Sequence, residues 1–476
     1  MKLTFFQESP KNMCSVVFTD SKGTPLSGPK KLGHPLSRFI LNGEFGSEFE
    51  QMTYLPLEKQ RVLFVNMGEK DFTAKKFRVA AAKSWKFLRS KKIDALAIHC
   101  RGLKAECIRA VFEGVALSDY QYQEFKTVKS KLPIHLKELS LNVDHKVVSK
   151  TTLKKWHSIV KGVHFARDLM LAPANVLYPE TLAKHAITLA SQGKFDVKIM
   201  DESAIKKEKM GALLSVSQGS QMAPRFIVMD YNPKHAKKTF VLVGKAVTFD
   251  SGGLSLKPAG SMPEMKGDMG GGATVFGIMS TLKAIRCPIR VIGLVPAVEN
   301  MPSGTATRPS DVVHSRSGIT IEINNTDAEG RLILADALDY AKKYKPDYVI
   351  DYATLTGACL VALGPKVCGI MGNCKELVDA MVEKGYSLDD PFWQLPLEED
   401  YEPYLKSDIA DVSNIASIRW GGAITAGLFL QRFAKEYKWA HCDIAASILE
   451  KEEAYSPKGG SGAGIRTTIE VFESLK

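Results

Sequence analysis

The sequence predicts an α/β protein with two domains, a smaller N-terminal α/β domain and a larger C-terminal α/β domain whose central mixed sheet is flanked by helices. Two observations predict it. Short runs of branched apolar residues alternate with helical patterns in both halves of the chain, which is typical of α/β folds. The 476 residues also exceed the roughly 250–300 that one hydrophobic core accommodates. We expect an N-terminal domain over 1–149, a connecting helix over 150–174 and a second domain over 175–476.

The N-terminal domain is predicted to contain a βαβ unit. Helical periodicity over residues 73–89 lies between two strand-like runs, and this order implies a partly parallel sheet. The predicted strands are Ser15–Thr19, Val62–Val65 and Ile93–Ile98. A longer helix over Lys150–Leu171 stops before Pro173, which favours a break, and we interpret it as the connector between the domains.

The C-terminal domain is predicted to have strands that are buried on both faces, because their apolar character is nearly continuous. These strands are Thr239–Gly244, Arg290–Val295 and Tyr348–Tyr352. Helices over Met269–Leu282 and Glu329–Lys343 alternate with them, so a second central sheet is expected.

The positive charge of the chain is concentrated in the N-terminal third. The formal net charge is +12, and residues 1–150 hold 26 Lys and Arg against 15 Asp and Glu. Eight basic residues and no acidic one lie between Phe72 and Ile93. Such a run is typical of a solvated face of an amphipathic helix, and binding of DNA is the alternative that it leaves open.

Cysteine usage and hydropathy indicate an intracellular protein. The eight cysteines form no Cys-x-x-Cys pair and no zinc-ligand spacing, so we interpret them as buried, reduced thiols. No apolar run approaches the roughly 18 residues of a membrane span, and the first ten residues are too short for a secretory leader. We therefore expect a cytoplasmic protein with no membrane association.

Three stretches carry unusual polar residues at the ends of predicted strands or the starts of helices. The first holds Lys245, Asp250 and Lys257 around a Gly-Gly loop, the second holds Asp268 before a Gly-rich helix start, and the third runs from Asp327 through Glu329 to Arg331. Each has an ordinary structural explanation: a strand-end lysine that reaches solvent, a helix N-cap, or acidic residues favoured by a helix dipole.

Taken together, the three stretches predict a metal centre. Ligands of α/β sheets bind beyond the carboxyl ends of the strands, where Asp250, Asp268, Asp327 and Glu329 would converge. Carboxylates at that range cannot all stay ionised without compensation. Oxygen ligands suit Mg²⁺, Mn²⁺ or Zn²⁺, and two ions about 3.5–4 Å apart form the usual two-metal hydrolase site.

The same stretches resemble the signature of the leucyl aminopeptidases, also called the cytosol aminopeptidase family. The resemblance is carried by ordered motifs from about Leu171 to the C-terminus, whereas the first 150 residues match only in size and general pattern. The motifs are Gly244-Lys245, Thr248–Gly253, Met265–Gly270, Asn325–Leu332, Ala353–Ala358, Gly421–Gly427 and Trp439–Ala445.

This resemblance implies a metal-dependent enzyme that releases N-terminal residues from peptides. One metal would be bound by Lys245, Asp250, Asp268 and Glu329, and a more exchangeable one by Asp250, Asp327 and Glu329. Lys257 would polarise the scissile carbonyl. Arg331 would hold a bicarbonate ion as the proton acceptor. Manganese or zinc are the expected ions, with magnesium as an alternative.

The resemblance also implies a largely apolar pocket for the first side chain, which favours Leu- and Met-like residues. Its residues would be Met265, Thr354, Leu355, Gly357, Ala445 and Ile448. A homohexamer of two stacked trimers is implied as well. One departure is Ala246, which stands where the family has glycine, and an alanine would strain the turn if that position needed a positive φ.

A two-metal phosphatase or nuclease is the rival enzyme class. Such sites usually include histidine, and none lies among the candidate ligands. His314 and His441 are the nearest to the matching motifs, and we expect structural roles for both.

Overall fold

The structure, a computed structural model, describes residues 1–8, 10, 12–27, 45–57, 60–128 and 133–476. It divides into two compact units. One comprises Met1–Val160 with Glu452–Pro457, and the other comprises Lys161–Lys451 with Lys458–Lys476. The division between the units falls inside the predicted connecting helix. No described helix has both the length and the apolar character that crossing a membrane requires.

The N-terminal unit is built on a six-stranded sheet in its described residues, with the order β1-β6-β5-β2-β4-β3. The strands are β1 (Lys2–Phe5), β2 (Cys14–Thr19), β3 (Met52–Pro56), β4 (Arg61–Asn66), β5 (Ala95–His99) and β6 (Glu138–Asn142). Only β3 pairs antiparallel, while β4 and β5 lie parallel on either side of β2. The helices are α1 (Ala74–Ser90), α2 (Ala105–Ser118) and α3 (Lys150–Leu171). The predicted βαβ unit, β4-α1-β5, is confirmed.

The C-terminal unit is built on a nine-stranded mixed sheet. Eight of its strands have the order β16-β15-β18-β14-β9-β11-β8-β7. The ninth strand, β10, lies outside this order and pairs with β11. The strands are β7 (Asp196–Met200), β8 (Arg225–Tyr231), β9 (Thr239–Gly244), β10 (Ala246–Asp250), β11 (Arg290–Asn300), β14 (Tyr348–Ala353), β15 (Cys368–Gly372), β16 (Phe392–Gln394) and β18 (Trp439–Asp443). A three-stranded sheet contains β12 (Asp311–His314), β13 (Thr320–Ile323) and β17 (Val412–Ser413). A two-stranded sheet contains β19 (Ile448–Leu449) and β20 (Gly459–Gly460).

Helices flank this sheet as predicted. They are α4 (Pro179–Gly193), α5 (Glu202–Lys207), α6 (Gly211–Ser217), α7 (Gly270–Ile285), α8 (Gly330–Ala341), α9 (Gly357–Leu363), α10 (Lys375–Leu388), α11 (Gly422–Gln431) and α12 (Ile465–Ser474). Short 3₁₀ turns cover Ala259–Gly267, Lys342–Tyr344, Glu399–Leu405 and Ala445–Ser447.

The predicted central strands β9, β11 and β14 are confirmed, and they run parallel to one another. β9, β11, β14 and β18 all point the same way, and so does β10. Their carboxyl ends therefore open onto one edge of the sheet, where ligands of α/β folds bind. All eight cysteines are buried thiols, as predicted.

Most of the basic run of the N-terminal domain lies on α1, and three of its eight basic residues form ion pairs with described residues of the same unit. Arg78 pairs with Glu113, Lys83 with Glu50 and Lys86 with Glu452. The apolar face of the helix, which includes Phe77, Trp85 and Leu88, is buried. The amphipathic helix is confirmed, and intramolecular pairing reduces the positive charge that is free for a partner.

Glu113 is the centre of a buried charge cluster in the N-terminal unit. Its carboxylate lies 3.1 Å from Arg78 Nη2 and 2.8 Å from Arg109 Nε. Substituting Glu113→Ala should lower the free energy of unfolding of this unit by about 3–5 kcal/mol, because it leaves the guanidinium of Arg78 buried without its carboxylate. Urea denaturation measures this loss.

Asp94 provides the matched control, because its pair with Lys137 is exposed to solvent. Asp94→Ala should change the free energy of unfolding by less than about 1 kcal/mol. Equal losses in the two variants would contradict the assignment of a buried, energetically important cluster.

Candidate metal centre and substrate pocket

Lys245, the first residue after β9, lies at the centre of the predicted site. Its Nζ is 2.7 Å from Asp268 Oδ1 and 2.8 Å from Glu329 Oε1, and it donates to the carbonyl of Thr354 at 2.9 Å. The side chain is only 3% exposed. The alternative of a lysine that reaches solvent is therefore wrong.

Lys257 joins the other two predicted carboxylates. Its Nζ lies 2.9 Å from Asp250 Oδ2 and 2.6 Å from Asp327 Oδ1. One oxygen each of Asp250, Asp327 and Glu329 lie within 4.8 Å of one another. The structure thus brings all four predicted carboxylates and both lysines into one cluster at the edge of the sheet.

The secondary structure explains this convergence. Asp250 ends β10, Asp268 precedes α7, and Glu329 is the N-cap residue of α8. The positive ends of two helix dipoles therefore face the carboxylates. Asp268 is not an N-cap: its Oδ1 accepts from Lys245 and from Thr354 Oγ1. Helix capping thus does not explain this residue.

The cluster carries more negative than positive charge. Four carboxylates face two ammonium groups, which leaves a formal charge of −2 when all are ionised. Burial raises the pKa of Asp268 well above its usual range, although Lys245 opposes this. Burial and the neighbouring Glu329 also raise the pKa of Asp250. Burial is thus the largest cause of both shifts, and the neighbouring carboxylates add to it.

The pKa values of the two lysines are raised as well, but for a different reason. Burial alone would lower their pKa values, but the carboxylates outweigh it. Asp268, Glu329 and Asp250 hold the pKa of Lys245 above its ordinary value, and Asp250 with Asp327 does the same for Lys257. Without further cations, both amines are therefore charged at neutral pH.

These residues fit a pair of divalent cations. Carboxylate oxygens are the preferred ligands of hard and borderline ions. The second oxygen of Asp268 is buried and accepts no hydrogen bond. A buried acceptor without a donor is costly, and a cation at this position would satisfy it.

Arg331, in the first turn of α8, lies buried beside the carboxylate cluster. Its Nη1 donates to the carbonyl of Asn414 at 2.7 Å, while its Nε is buried with no hydrogen-bond partner. Burial lowers its pKa to about 10, against the opposing charges of Glu329 and Asp443. The guanidinium stays cationic at neutral pH, and an anion could use its free N–H.

The six predicted pocket residues lie in three chain segments, and one residue of each contacts Asp268 or the neighbouring Gly267. The carbonyl of Met265 accepts from the backbone N–H of Asp268, and Thr354 bonds its carboxylate. Ile448 packs against Gly267. Leu355 and Ala445 are tied to one carboxylate, that of Asp443, through their backbone N–H groups. Gly357 is exposed at the start of α9.

Two asparagines that the sequence did not single out fix the metal-site loops. Asn300, at the end of β11, donates to Asp250 Oδ1 at 2.8 Å and to the carbonyl of Thr326 at 2.9 Å. Asn414 accepts from the backbone N–H groups of Asn324 and Asn325. The polar residues Glu299 and Asn300 end an apolar strand, and this local pattern could have indicated a role for Asn300. The sequence around Asn414 contains no comparable pattern.

Neither histidine near the motifs belongs to the carboxylate cluster. His441 is fully buried and its Nδ1 lies 2.6 Å from Asp351 Oδ1, while His314 ends β12. Ala246 also causes no strain, because its φ is not positive. An alanine at this position is therefore compatible with the turn.

Comparisons with known proteins give a consistent picture. The sequence profile described as "Cytosol aminopeptidase family, catalytic domain" matches residues 164–469, and the N-terminal domain profile of the same family matches residues 30–129. A probable cytosol aminopeptidase of Azoarcus sp. (strain BH72) is 42% identical over 456 residues, which cover 93% of this chain and 90% of that protein.

A probable cytosol aminopeptidase of Geobacter sp. (strain M21) is likewise 42% identical over 423 residues, covering 87% of this chain and 86% of that protein. Among solved structures, the bottromycin maturation enzyme BotP in complex with Mn superposes with a TM-score of 0.86 at 32% identity. That match covers 98% of this chain and 100% of the other.

Gly330 allows Lys245 to reach its carboxylates. A methyl group at this position would lie 2.7 Å from Cδ and Cε and 2.8 Å from Nζ of Lys245. We expect Gly330→Ala to lower the free energy of unfolding of the C-terminal unit by about 1–3 kcal/mol, the usual range for overpacking. Thermal unfolding measures this loss.

Gly357→Ala is the control substitution. A methyl group there would meet no atom within 4 Å, so the melting temperature should be unchanged or slightly raised. A Gly330→Ala variant as stable as the Gly357→Ala variant would contradict the close packing around Lys245.

Proposed function

Since the chain belongs to the cytosol aminopeptidase family, we propose that it is a leucyl aminopeptidase that uses two metal ions. It would release N-terminal residues, preferentially Leu- or Met-like, from peptides in the cytoplasm. The observation that carries this proposal is the convergence of Asp250, Asp268, Asp327 and Glu329 with Lys245 at one sheet edge.

We propose that one ion is held by Lys245, Asp250, Asp268 and Glu329, and the other by Asp250, Asp327 and Glu329. Manganese or zinc are the proposed ions, with magnesium as an alternative. The solved relative described as in complex with Mn supports manganese. When bound, the pair would supply a water ionised near neutral pH and Lewis-acid polarisation of the peptide carbonyl. Lys245 would have to lose its proton to act as a ligand.

Lys257 and Arg331 are the proposed catalytic residues. Lys257, freed from its carboxylates, would donate to the oxyanion that forms at the scissile carbonyl, a contribution of about 3–4 kcal/mol for one donor. Arg331 would hold a bicarbonate ion as the proton acceptor. Its unpartnered Nε and its position at the start of α8 both suit an anion.

The pocket would determine the preference for the first side chain. Met265, Leu355, Ala445 and Ile448 offer apolar surface, while Thr354 turns its hydroxyl toward Asp268. A difference of one methylene in such a pocket changes binding by only about 1–3 kcal/mol, so we expect a broad preference for apolar residues.

Substitutions in the cluster test the catalytic assignment. Asp327→Ala should abolish most hydrolysis of leucyl-p-nitroanilide, because it removes a ligand and a partner of Lys257. Lys257→Met should lower kcat by about 10²–10³-fold, the usual loss of one oxyanion donor. Lys283→Met is the control, since in the described residues this lysine donates to the carbonyl of Gln192 and to none of the cluster residues.

An Asp327→Ala enzyme with wild-type rates would refute the assignment. Bis-p-nitrophenyl phosphate serves as the competing substrate. Faster hydrolysis of this phosphodiester than of the aminoacyl substrates would favour the rival phosphatase class.

Removal of metal is a separate test. Dialysis against a chelator should eliminate peptidase activity, and addition of Mn²⁺ or Zn²⁺ should restore it, because the cluster's excess negative charge requires cations. Elemental analysis of the active protein should give two ions per chain. Full activity with less than one ion per chain would contradict the proposal.

We also propose that the chain assembles as a homohexamer. Exposed apolar side chains of the C-terminal unit support association: Val361 is 89% exposed and Trp420 is 73% exposed. Aromatic side chains such as tryptophan are enriched at protein interfaces relative to the rest of the surface. Light scattering of the purified protein tests the assembly, and a monomer at micromolar concentration would refute it.

DNA binding through the N-terminal domain stays a prediction. The pairing of Arg78, Lys83 and Lys86 with acidic residues leaves less free charge on α1 than the sequence suggested. A gel shift that weakens with rising salt would support it, and no shift at low salt would exclude it.

A further inference from the structure

Asp443 joins the two chain segments that hold most of the predicted pocket. It ends β18 and lies directly opposite Ala353, the last residue of β14. These neighbouring parallel strands continue into two turns, one over 354–357 and the other over 444–448. Five of the six predicted pocket residues lie in these turns: Thr354, Leu355, Gly357, Ala445 and Ile448.

The carboxylate of Asp443 is bonded to both turns. Its Oδ2 accepts the hydroxyl of Thr356 at 2.6 Å. Its Oδ1 accepts the backbone N–H groups of Leu355 at 3.2 Å, Thr356 at 3.4 Å and Ala445 at 3.3 Å. The side chain is fully buried. One buried side chain thus accepts four hydrogen bonds and connects both turns.

Two further hydrogen bonds join these segments in the described residues, and neither reaches the Asp443 carboxylate. In one of them, Cys359 Sγ donates to the carbonyl of Asp443 at 3.8 Å. The backbone N–H of Ile444 donates to the carbonyl of Ala353 at 2.8 Å, at the base of the strands. Thr356 has a second role, because its hydroxyl also accepts the N–H of Cys359 at 3.0 Å and so caps α9. There is space around Gly357, where an added methyl would meet no atom within 4 Å. The first turn of α9 therefore has room to shift if the hydroxyl is lost.

We propose that Asp443, acting through the hydroxyl of Thr356, is a positioning residue that fixes the spacing of the two pocket walls and thereby sets the discrimination between first side chains. The inference rests on the proposed aminopeptidase function. It differs from a purely structural role, because a change in wall spacing alters the ratio of rates between substrates. A general loss of stability would lower all rates by a similar factor.

The test compares Thr356→Val with Thr356→Ser. Valine has nearly the same shape but leaves Asp443 Oδ2 without its donor, whereas serine keeps the hydroxyl. For both variants and wild type, kcat/KM is measured on leucyl-, methionyl- and alanyl-p-nitroanilide with the metal-loaded enzyme. The ratio of kcat/KM for leucyl over alanyl substrate should fall about tenfold in Thr356→Val and stay within about twofold of wild type in Thr356→Ser. Metal content should be equal in all three proteins.

An unchanged ratio in a folded Thr356→Val protein would overturn the inference, as would an equal loss in both variants. If Thr356→Val does not fold, Asp443→Asn gives the second measurement, since the amide replaces one acceptor by a donor and should lower the same ratio. A wild-type enzyme that binds two metals and hydrolyses none of the substrates would overturn the proposed function itself. That outcome is distinct from an active enzyme whose discrimination does not depend on Thr356.

Discussion

Repulsion among four carboxylates at the edge of one sheet is the constraint on which the rest of the C-terminal unit depends. Asp250, Asp268, Asp327 and Glu329 approach one another far more closely than free carboxylates in water would. Two lysines compensate half of that charge. The remaining charge, together with the unpartnered oxygen of Asp268, creates a strong demand for cations. A protein that only had to fold would not gain from such an arrangement.

The fold provides what this arrangement requires. Parallel strands direct their carboxyl ends to one edge, and two long helices, α7 and α8, begin there, so that their N-terminal dipoles favour negative charge. Gly330 leaves space for Lys245 to pass between the strand end and the helix. Beyond the charged residues, Asn300, Asn414 and Asp443 fix the loops with hydrogen bonds from buried positions. Strand order and buried polar residues therefore place the site together.

The sequence predicted the elements of this fold because apolar periodicity is a local property. Apolar periodicity predicts the bounds of six elements to within a few residues: the strands β9, β11 and β14 and the helices α1, α7 and α8. The site residues were found because charged side chains at strand ends are unusual and because their motifs resemble a known family. Local periodicity does not encode pairing, so the position of β10 beside β11 and the antiparallel β8 and β15 could not be predicted.

Partners that lie far apart in the chain were missed for the same reason. Asn414 contacts residues about ninety positions earlier, and Asp443 binds Thr356 across a similar interval. Asp443 had a weak local signal, a carboxylate at the end of an apolar strand. The alternative explanations for Lys245 and Asp268 could be rejected only when burial and distances were known.

Anomalous diffraction from a crystal soaked in Mn²⁺ tests the central claim most directly. The account predicts two strong peaks about 3.5–4 Å apart, in contact with Asp250, Asp327 and Glu329, and Lys257 released from its carboxylates. A well-ordered crystal without peaks there, in which Lys245 and Lys257 keep their ion pairs with all four carboxylates, would contradict it.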